Sequence, residues 1–539
     1  MGNKRLTTLT LLLIFINHLQ KKLRIDNLVK LADYICSEVR GELSFNIIVP
    51  DRKSVIEALY AGQSFDMNGH NESTRNIYER YQELETLFPE QLKQEHAILM
   101  FVDWFLYNVD LVEIIAYSDE EAYSIFEAMN DRGLKLNQTE MLKGYLLTNI
   151  DGDEKKFEAN QLWKDRIVEL MSIHKDDEAD FFKHWLRSKY AKTVRAGSKG
   201  ATNQDYEKIG NEYHKWVRDK KNEVGLKRSK DYQYFVNNLF DKYSNLYIII
   251  RKLAQKYTPG FESIYYNAHN NFTLQYQLML APIIPEDDEI TINKKIKLVS
   301  TYIDYYIAHR AVNYLTLSYA SQKYTMAIRM MEMRDMSVEQ LASYLKEKAL
   351  EIAGYFDGLP DRSRLGVLAF GLNQWSKRYI RYILARLTVY VETQSGMEDR
   401  FVSYVSPYIK KPFEIEHIWA DHFDRHKDEF INQGDFNDIR NLIGDLVLVP
   451  KGINQSLNDM DYAEKIIYYI KENLLTQSLH KQAYERNPGF ISFVQRSGLP
   501  FRPHEEFKKD DILTRTKLYK QICEQIWSID RLDEIANND

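Results

Sequence analysis

Apolar residues recur at intervals of three and four through most of this chain, and the residues that interrupt helices are sparse, with 22 glycines and 12 prolines among 539 residues. Such spacing gives each helix one apolar face, so a chain of this kind folds by packing helices on helices. The pattern predicts two helices within 5–35, joined near Arg24-Ile25-Asp26-Asn27, and two more within 75–108. It predicts a helical stretch over 156–190 with Trp163 and Trp185 as core anchors, and helices from about 205 to 257. Long amphipathic helices rich in Tyr and Met follow over 294–356, then one over 375–392 and a last one over about 510–534. Arg195-Ala-Gly-Ser-Lys-Gly-Ala-Thr-Asn203 is a loop by composition. At roughly 100–200 residues per domain the chain is multi-domain. The expected units are 1–195, 205–405 and 406–539, the first two helical.

Composition limits the function classes. Hydrophobic residues at 44% and charged residues at 28% are ordinary globular values, which excludes wholesale disorder, collagen and a disulfide scaffold. A net charge of -6 excludes a histone-like basic coat but leaves room for a local basic groove. Basic clusters occur at Arg218–Lys221, at Lys227-Arg228-Lys230 and at Lys377, Arg378 and Arg381, and each is either a solvated helix face or a phosphate contact. The two cysteines, Cys36 and Cys523, form no metal motif or disulfide framework and fit a reducing cytoplasm. The apolar run Leu9–Ile16 is followed at once by Lys21-Lys22, lacks a small-residue cleavage site and is too short to span a bilayer. A buried helix, with no membrane association, is the expectation.

After Ser406-Pro407 the texture changes. Lys410-Lys411-Pro412 leads into 413–419, which alternate with period two and predict a strand. A second short apolar run covers 444–449 and is closed by Pro450, and a helix is predicted over 459–475, beginning near Asp459. Strand, loop, strand, helix is a compact ββα unit, the one clear β signal in this half of the chain.

That unit carries Glu416-His417, Asn441 and Asn454. A hydrolytic nuclease needs a base to activate water and a metal to stabilise charge on the phosphate. A strand points neighbouring Glu and His side chains to opposite faces unless the backbone bends. Asn454 supplies an oxygen suited to a hard cation, and the carboxamide of Asn441 can brace the intervening loop. On spacing alone the pattern is not specific, because Glu95-His96 is a second such pair and a half-buried structural histidine reads the same way. His422 and His426, four apart, have helical spacing for zinc but no cysteine beside them, which leaves surface histidines as the simpler reading. Arg502 and His504 either touch DNA or accompany the packing of Phe501 and Phe507.

A second constellation runs from Asp119 and Ala122 through Ile125-Phe126-Glu127-Ala128-Met129-Asn130-Asp131-Arg132-Gly133-Leu134-Lys135-Leu136 to Leu142-Lys143. A helix ends at Asn130-Asp131, Gly133 caps it, and Asn137 begins a new helix with Glu140 completing a capping box. On the residues alone this is a structural helix–turn–helix.

Residues 413–465 resemble the HNH-type nuclease domain at the C-terminus of the GmrSD family of DNA restriction enzymes. The resemblance lies in Ile415-Glu416-His417-Ile418, in Arg440-Asn441-Leu442-Ile443-Gly444-Asp445-Leu446-Val447-Leu448, in Asn454 and in Lys465. It implies His417 as general base, Glu416 and Asn454 as ligands of a divalent Mg²⁺ or Mn²⁺ ion, and Lys465 on the next helix near phosphate. Two residues depart from the family pattern: Trp419-Ala420 replace its proline after Glu-His-Ile, and Asp445 replaces its asparagine. If the asparagine amide normally braces the loop, Asn441 is the substitute brace, and Asp445→Asn is expected to raise activity where the brace is impaired. The stretch 119–147 resembles the family's N-terminal signature, Phe-Glu-x-x-Asn-x-Arg-Gly followed by Leu and a later Lys. Arg5-Leu6-Thr7-Thr8-Leu9 is similar to a motif that the family ties to nucleotide use, with only Gly2 and Arg5 matching ahead of the Leu-Thr-Thr-Leu. A nucleoside triphosphate site on Arg5 is therefore expected to be incomplete, unless a second chain or self-association supplies the rest.

The expectation is a mainly α, multi-domain protein with a small ββα-metal (HNH-like) module near its C-terminus. Its catalytic set is His417, Asn441, Asp445 and Lys465, and its function is metal-dependent cleavage of foreign and modified DNA. The alternative is a catalytically inactive or fragmentary protein that binds DNA or a partner chain.

Overall fold

The apolar run near the start lies in helix α1 (Gly2–Lys22), where Leu11, Ile14, Phe15 and Ile16 are buried. The computed structural model describes residues 2–25, 29–39, 42–46, 52–67, 72–112, 137–194, 204–359 and 366–537. Among these, no helix is long and apolar enough to cross a membrane. The chain divides into two compact units, 1–136 and 137–539.

In the first unit, α1 is followed by an antiparallel pair, β1 (Cys36–Val39) and β2 (Glu42–Phe45), with Cys36 opposite Phe45. This pair was not expected in a stretch read as wholly helical, because four-residue strands are too short to show a period of two. Helices α2 (Glu72–Leu87) and α3 (Glu95–Asn108) are the two expected within 75–108. One core joins Ile14, Leu31, Val55, Leu59, Ile98 and Val102. Arg5 lies in α1, and its side chain is outside the described residues.

The second unit opens with α4 (Gln138–Thr148), capped as expected: Asn137 Oδ1 accepts from the Glu140 N–H at 2.8 Å. The rest of that constellation, Asp119 to Leu136, lies outside the described residues. The stretch read as helix over 156–190 is two helices, α5 (Asp153–Ile173) and α6 (Asp177–Tyr190), separated by an extended His174. Trp163 and Trp185 are core anchors, and the Trp163 ring packs on both Phe182 and Phe240 at centroid distances of 5.3 and 4.5 Å. Met326, Met330 and Met333, in the Met-rich stretch, are also core residues.

Helix α7 (Glu289–Ala311) and helix α8 (Lys377–Gln394) are joined by a buried ion pair, Asp304 with Arg386 at 2.8 Å. The Trp527 indole N–H also donates to Asp304, at 3.1 Å, which ties the C-terminal end of the chain to both helices. Besides Arg386, two more of the four basic residues on α8 are spent on the protein: Arg381 donates to the Phe413 carbonyl and Arg378 to that of His269.

The ββα order is present. Strand β3 (Phe413–His417) pairs antiparallel with β4 (Leu446–Pro450), with Glu416 opposite Val447 and His417 opposite Leu446. Between them lies α9 (Gln433–Arg440). The helix that follows β4 begins sooner than expected: α10 (Lys451–Leu457) starts directly after Pro450, and α11 (Tyr462–Tyr469) follows with Asp461 as its N-cap. The last expected helix is likewise two, α12 (Lys509–Ile526) and a short one at Asp530–Asn537. An added Cβ at Gly444 would stand 2.3 Å from the Ile512 carbonyl of α12, so only glycine allows that crossing.

Candidate nuclease site

Period two sets the polarity of β3. Glu414 and Glu416 share one face, and Phe413, Ile415 and His417 the other. The strand does not bend to bring Glu416 and His417 together, so the two side chains have separate surroundings.

His417 is half-buried, with Nε2 3.1 Å from Asn441 Oδ1. The Asn441 amide is oriented by its own Nδ2, which donates to the Asn437 carbonyl at 2.8 Å. That leaves Oδ1 to face the imidazole, so His417 Nε2 carries the hydrogen and donates it. Nδ1 then holds a lone pair and has no protein partner among the described residues. The Asn441 backbone is held in turn, its carbonyl accepting from Leu372 N–H at 2.7 Å. Burial, with the Arg440 charge acting the same way, lowers the His417 pKa to about 4, so the ring is neutral at pH 7. An unprotonated, oriented imidazole with one free nitrogen can take a proton from water.

Glu416 is 6% exposed and lies within 2.6 Å of the Lys465 ammonium, with the Tyr469 hydroxyl donating to the same oxygen at 3.3 Å. Burial pushes its carboxyl up, and the Lys465 charge pulls against that. Lys465, expected near phosphate, is 1% exposed and donates also to the His417 carbonyl at 2.7 Å. A cation already occupies the Glu416 carboxylate, so Glu416 does not fit the part of a metal ligand here. Asn454, on α10, donates through Nδ2 to Glu414 Oε2 at 3.0 Å, which leaves its carbonyl oxygen beside a second carboxylate. Among the described residues, no group of three or more His, Cys, Asp and Glu side chains is placed to hold a metal ion.

Asp445 is fully buried, and Trp419 N–H donates to its Oδ1 at 3.1 Å, so the two departures from the family pattern touch each other. The brace for the turn after His417 needs only an acceptor, and a carboxylate provides one. Burial holds the Asp445 pKa well above the usual carboxylate range, against the pull of Arg440. A raised folded pKa means that stability present at low pH is lost as pH rises through that value. Asp445→Asn keeps an acceptor and never ionises. It should therefore leave nicking within about threefold of wild type and flatten the alkaline fall in melting temperature, whereas Asp445→Ala should cost about 1–3 kcal/mol by stranding the Trp419 N–H. Thermal melts from pH 5 to 9 check both. A drop of tenfold or more in nicking for Asp445→Asn would mean that the carboxylate does more than brace.

The remaining candidates are dispersed. His422 pairs with Asp459 at 3.1 Å, while the His426 ring lies on Trp419 with centroids 4.0 Å apart. His504 and Arg502 both bind Asp511, and Phe501 and Phe507 are buried. Sequence reasoning missed Glu414, Tyr469 and the role of Arg440. The first two carried a readable signal, since Glu414 shares a strand face with Glu416 and Tyr469 stands one helical turn after Lys465.

Comparison with known families places this geometry. Residues 2–147 match the N-terminal domain model of GmrSD restriction endonucleases, and residues 364–495 match the C-terminal domain model. The second match takes in the segment Phe370–Leu372 that is hydrogen-bonded to 441–443, as well as both strands, His417, Asn441, Asn454 and Lys465. No curated protein and no solved structure matches the chain. The two matches together take in just over half of the chain, in the family's own order, and the chain belongs to the GmrSD family of restriction endonucleases, nucleases that act on DNA.

Proposed function

We propose that this chain hydrolyses DNA phosphodiester bonds by an HNH-type reaction, in defence against foreign DNA including base-modified DNA. The observation that carries the reading is His417, held by Asn441 through Nε2 with Nδ1 free, on the first strand of a ββα unit inside the matched C-terminal domain. In the reaction, Nδ1 takes a proton from water as its oxygen forms a bond to phosphorus, and the bond from phosphorus to the leaving sugar oxygen breaks. Asn441 keeps the ring in the tautomer that accepts there. A hard divalent cation usually takes one or two carboxylates and several waters, and bound beside the base it would stabilise charge on the phosphate. Glu414 and the Asn454 carbonyl are donors of that kind, but they lie on the face of β3 opposite His417, with Lys451 Nζ 3.9 Å from Glu414, so they do not seat an ion beside the base.

The second reading, a protein that binds DNA or a partner without cutting, is favoured by the commitment of Glu416 to Lys465. Nicking of supercoiled plasmid separates the two. Expected is activity with added Mg²⁺ or Mn²⁺ that is lost with chelator, measured on unmodified and base-modified DNA side by side. DNA binding without nicking under any metal would favour the second reading.

A further inference from the structure

Around His417 the cations are nearly all spent within the protein. Lys465 is buried on Glu416 and on the His417 carbonyl, and Arg381 donates to the Phe413 carbonyl. Arg440 differs. It ends α9, and its neighbour Asn441 is the residue that holds His417. Its Nε donates to the Trp419 carbonyl at 3.1 Å, which fixes one edge of the guanidinium. Among the described residues the terminal nitrogens have no partner and no carboxylate lies within ion-pair distance. The residue is half-buried, and its charge bears on His417, Glu416 and Asp445. A half-desolvated guanidinium with one edge anchored and the other unused lacks only an anion. Its two parallel donors match the oxygens of a phosphate, which a lysine cannot do. Hydrolysis of a phosphodiester places growing charge on those same oxygens.

We propose that Arg440 grips the scissile phosphate of DNA through the free edge of its guanidinium, beside Nδ1 of His417. The inference rests on the hydrolytic reading of this site. It assigns to Arg440 the phosphate contact that the sequence assigned to Lys465. The geometry specifies an order of parts: Trp419 carbonyl to Nε, guanidinium to phosphate, and Asn441, the next residue in the chain, to the imidazole. One helix end thus sets both the base and the anion clamp.

The test uses the full chain with Arg440→Gln and Arg440→Lys, reading plasmid nicking, melting temperature and the salt dependence of DNA affinity. Removing one pre-organised donor to a developing oxyanion costs about 10²–10³-fold in rate, and that loss is expected for Arg440→Gln. Losing one phosphate contact should lower the slope of log affinity against log salt by about one. Arg440→Lys should keep the slope but recover only part of the rate, because a lysine ammonium is a point charge. Wild-type nicking with Arg440→Gln within about threefold of it would overturn the proposal, since a lost transition-state contact appears in the rate. So would a lowered melting temperature in both variants with an unchanged salt slope, the mark of a purely structural arginine. If wild type itself does not nick, the hydrolytic reading fails, and the salt slope still decides whether Arg440 contacts phosphate: reduced in Arg440→Gln it supports the contact, unchanged it overturns it.

Discussion

Lys465→Ala should lower the stability of the second unit by about 3–5 kcal/mol, because it leaves the Glu416 carboxylate buried with no cation. Glu416 is 6% exposed and Lys465 1%, so water cannot replace the lost partner without opening the ββα core. Glu416→Ala should cost a similar amount by stranding the ammonium. The paired replacement Glu416→Leu with Lys465→Met should recover most of the loss, since a buried ion pair replaced by apolar groups of like volume is often neutral or stabilising. The same pair reaches the proposed base, for Lys465 also holds the His417 carbonyl at 2.7 Å. Nicking by either single variant should therefore fall with the melting temperature. A Glu416 that ligates a metal, as the resemblance implies, gives a different outcome, a Glu416→Ala defect that recovers at high Mg²⁺ or Mn²⁺. Urea unfolding of the four chains, run beside nicking at low and high metal, separates the accounts. A Glu416→Ala protein that keeps its stability and regains activity with metal would make Glu416 a ligand and end the ion-pair reading.

The sequence made the helices and the module legible where pattern runs long enough to be periodic. Trp163 and Trp185 stand in one aromatic core, and β3 and β4 fall within about two residues of the runs that predicted them. What stayed hidden was short or paired. The strands Cys36–Val39 and Glu42–Phe45 hold four residues each, and α10 holds seven, with Gly452 among them. None of these offers a full amphipathic repeat. The identity of the site residues was legible from motif spacing, but their partners were not. Glu416 and Lys465 are separated by 49 positions, and nothing along the chain says that an acid on a strand and a lysine on a later helix neutralise each other. Asp445 shows the same limit. As a departure from a family pattern it reads as an impaired brace, while the structure puts Trp419 N–H on it and needs only an acceptor. Arg440 stood inside a matched motif with no role, because a free guanidinium edge becomes visible only once every other cation nearby has a partner.

His417→Ala should reduce nicking by about 10²–10⁴-fold while leaving the melting temperature and DNA affinity close to wild type, the usual contribution of a general base. The small structural cost follows from its contacts: the side chain is half-buried and makes one hydrogen bond, to Asn441. Asn441→Ala should then act on rate alone as well, more weakly, since the imidazole remains but loses the acceptor that fixes its tautomer. Asn441→Asp restores an acceptor and should recover part of that loss, a pattern that a purely structural asparagine would not give. The pH profile carries the sign. Burial lowers the His417 pKa to about 4, so the base is free above that value and protonated below it. The acid limb of kcat/KM should fall near pH 4 rather than near the ordinary histidine value of about 6.5. The same shift makes the folded chain resist a proton that the unfolded chain accepts, so lowering the pH from about 6.5 to about 4 should erode stability in wild type and less in His417→Ala. An acid limb near 6.5 that survives in His417→Ala would assign the base to another residue, and unchanged nicking in that variant would remove His417 from the chemistry altogether.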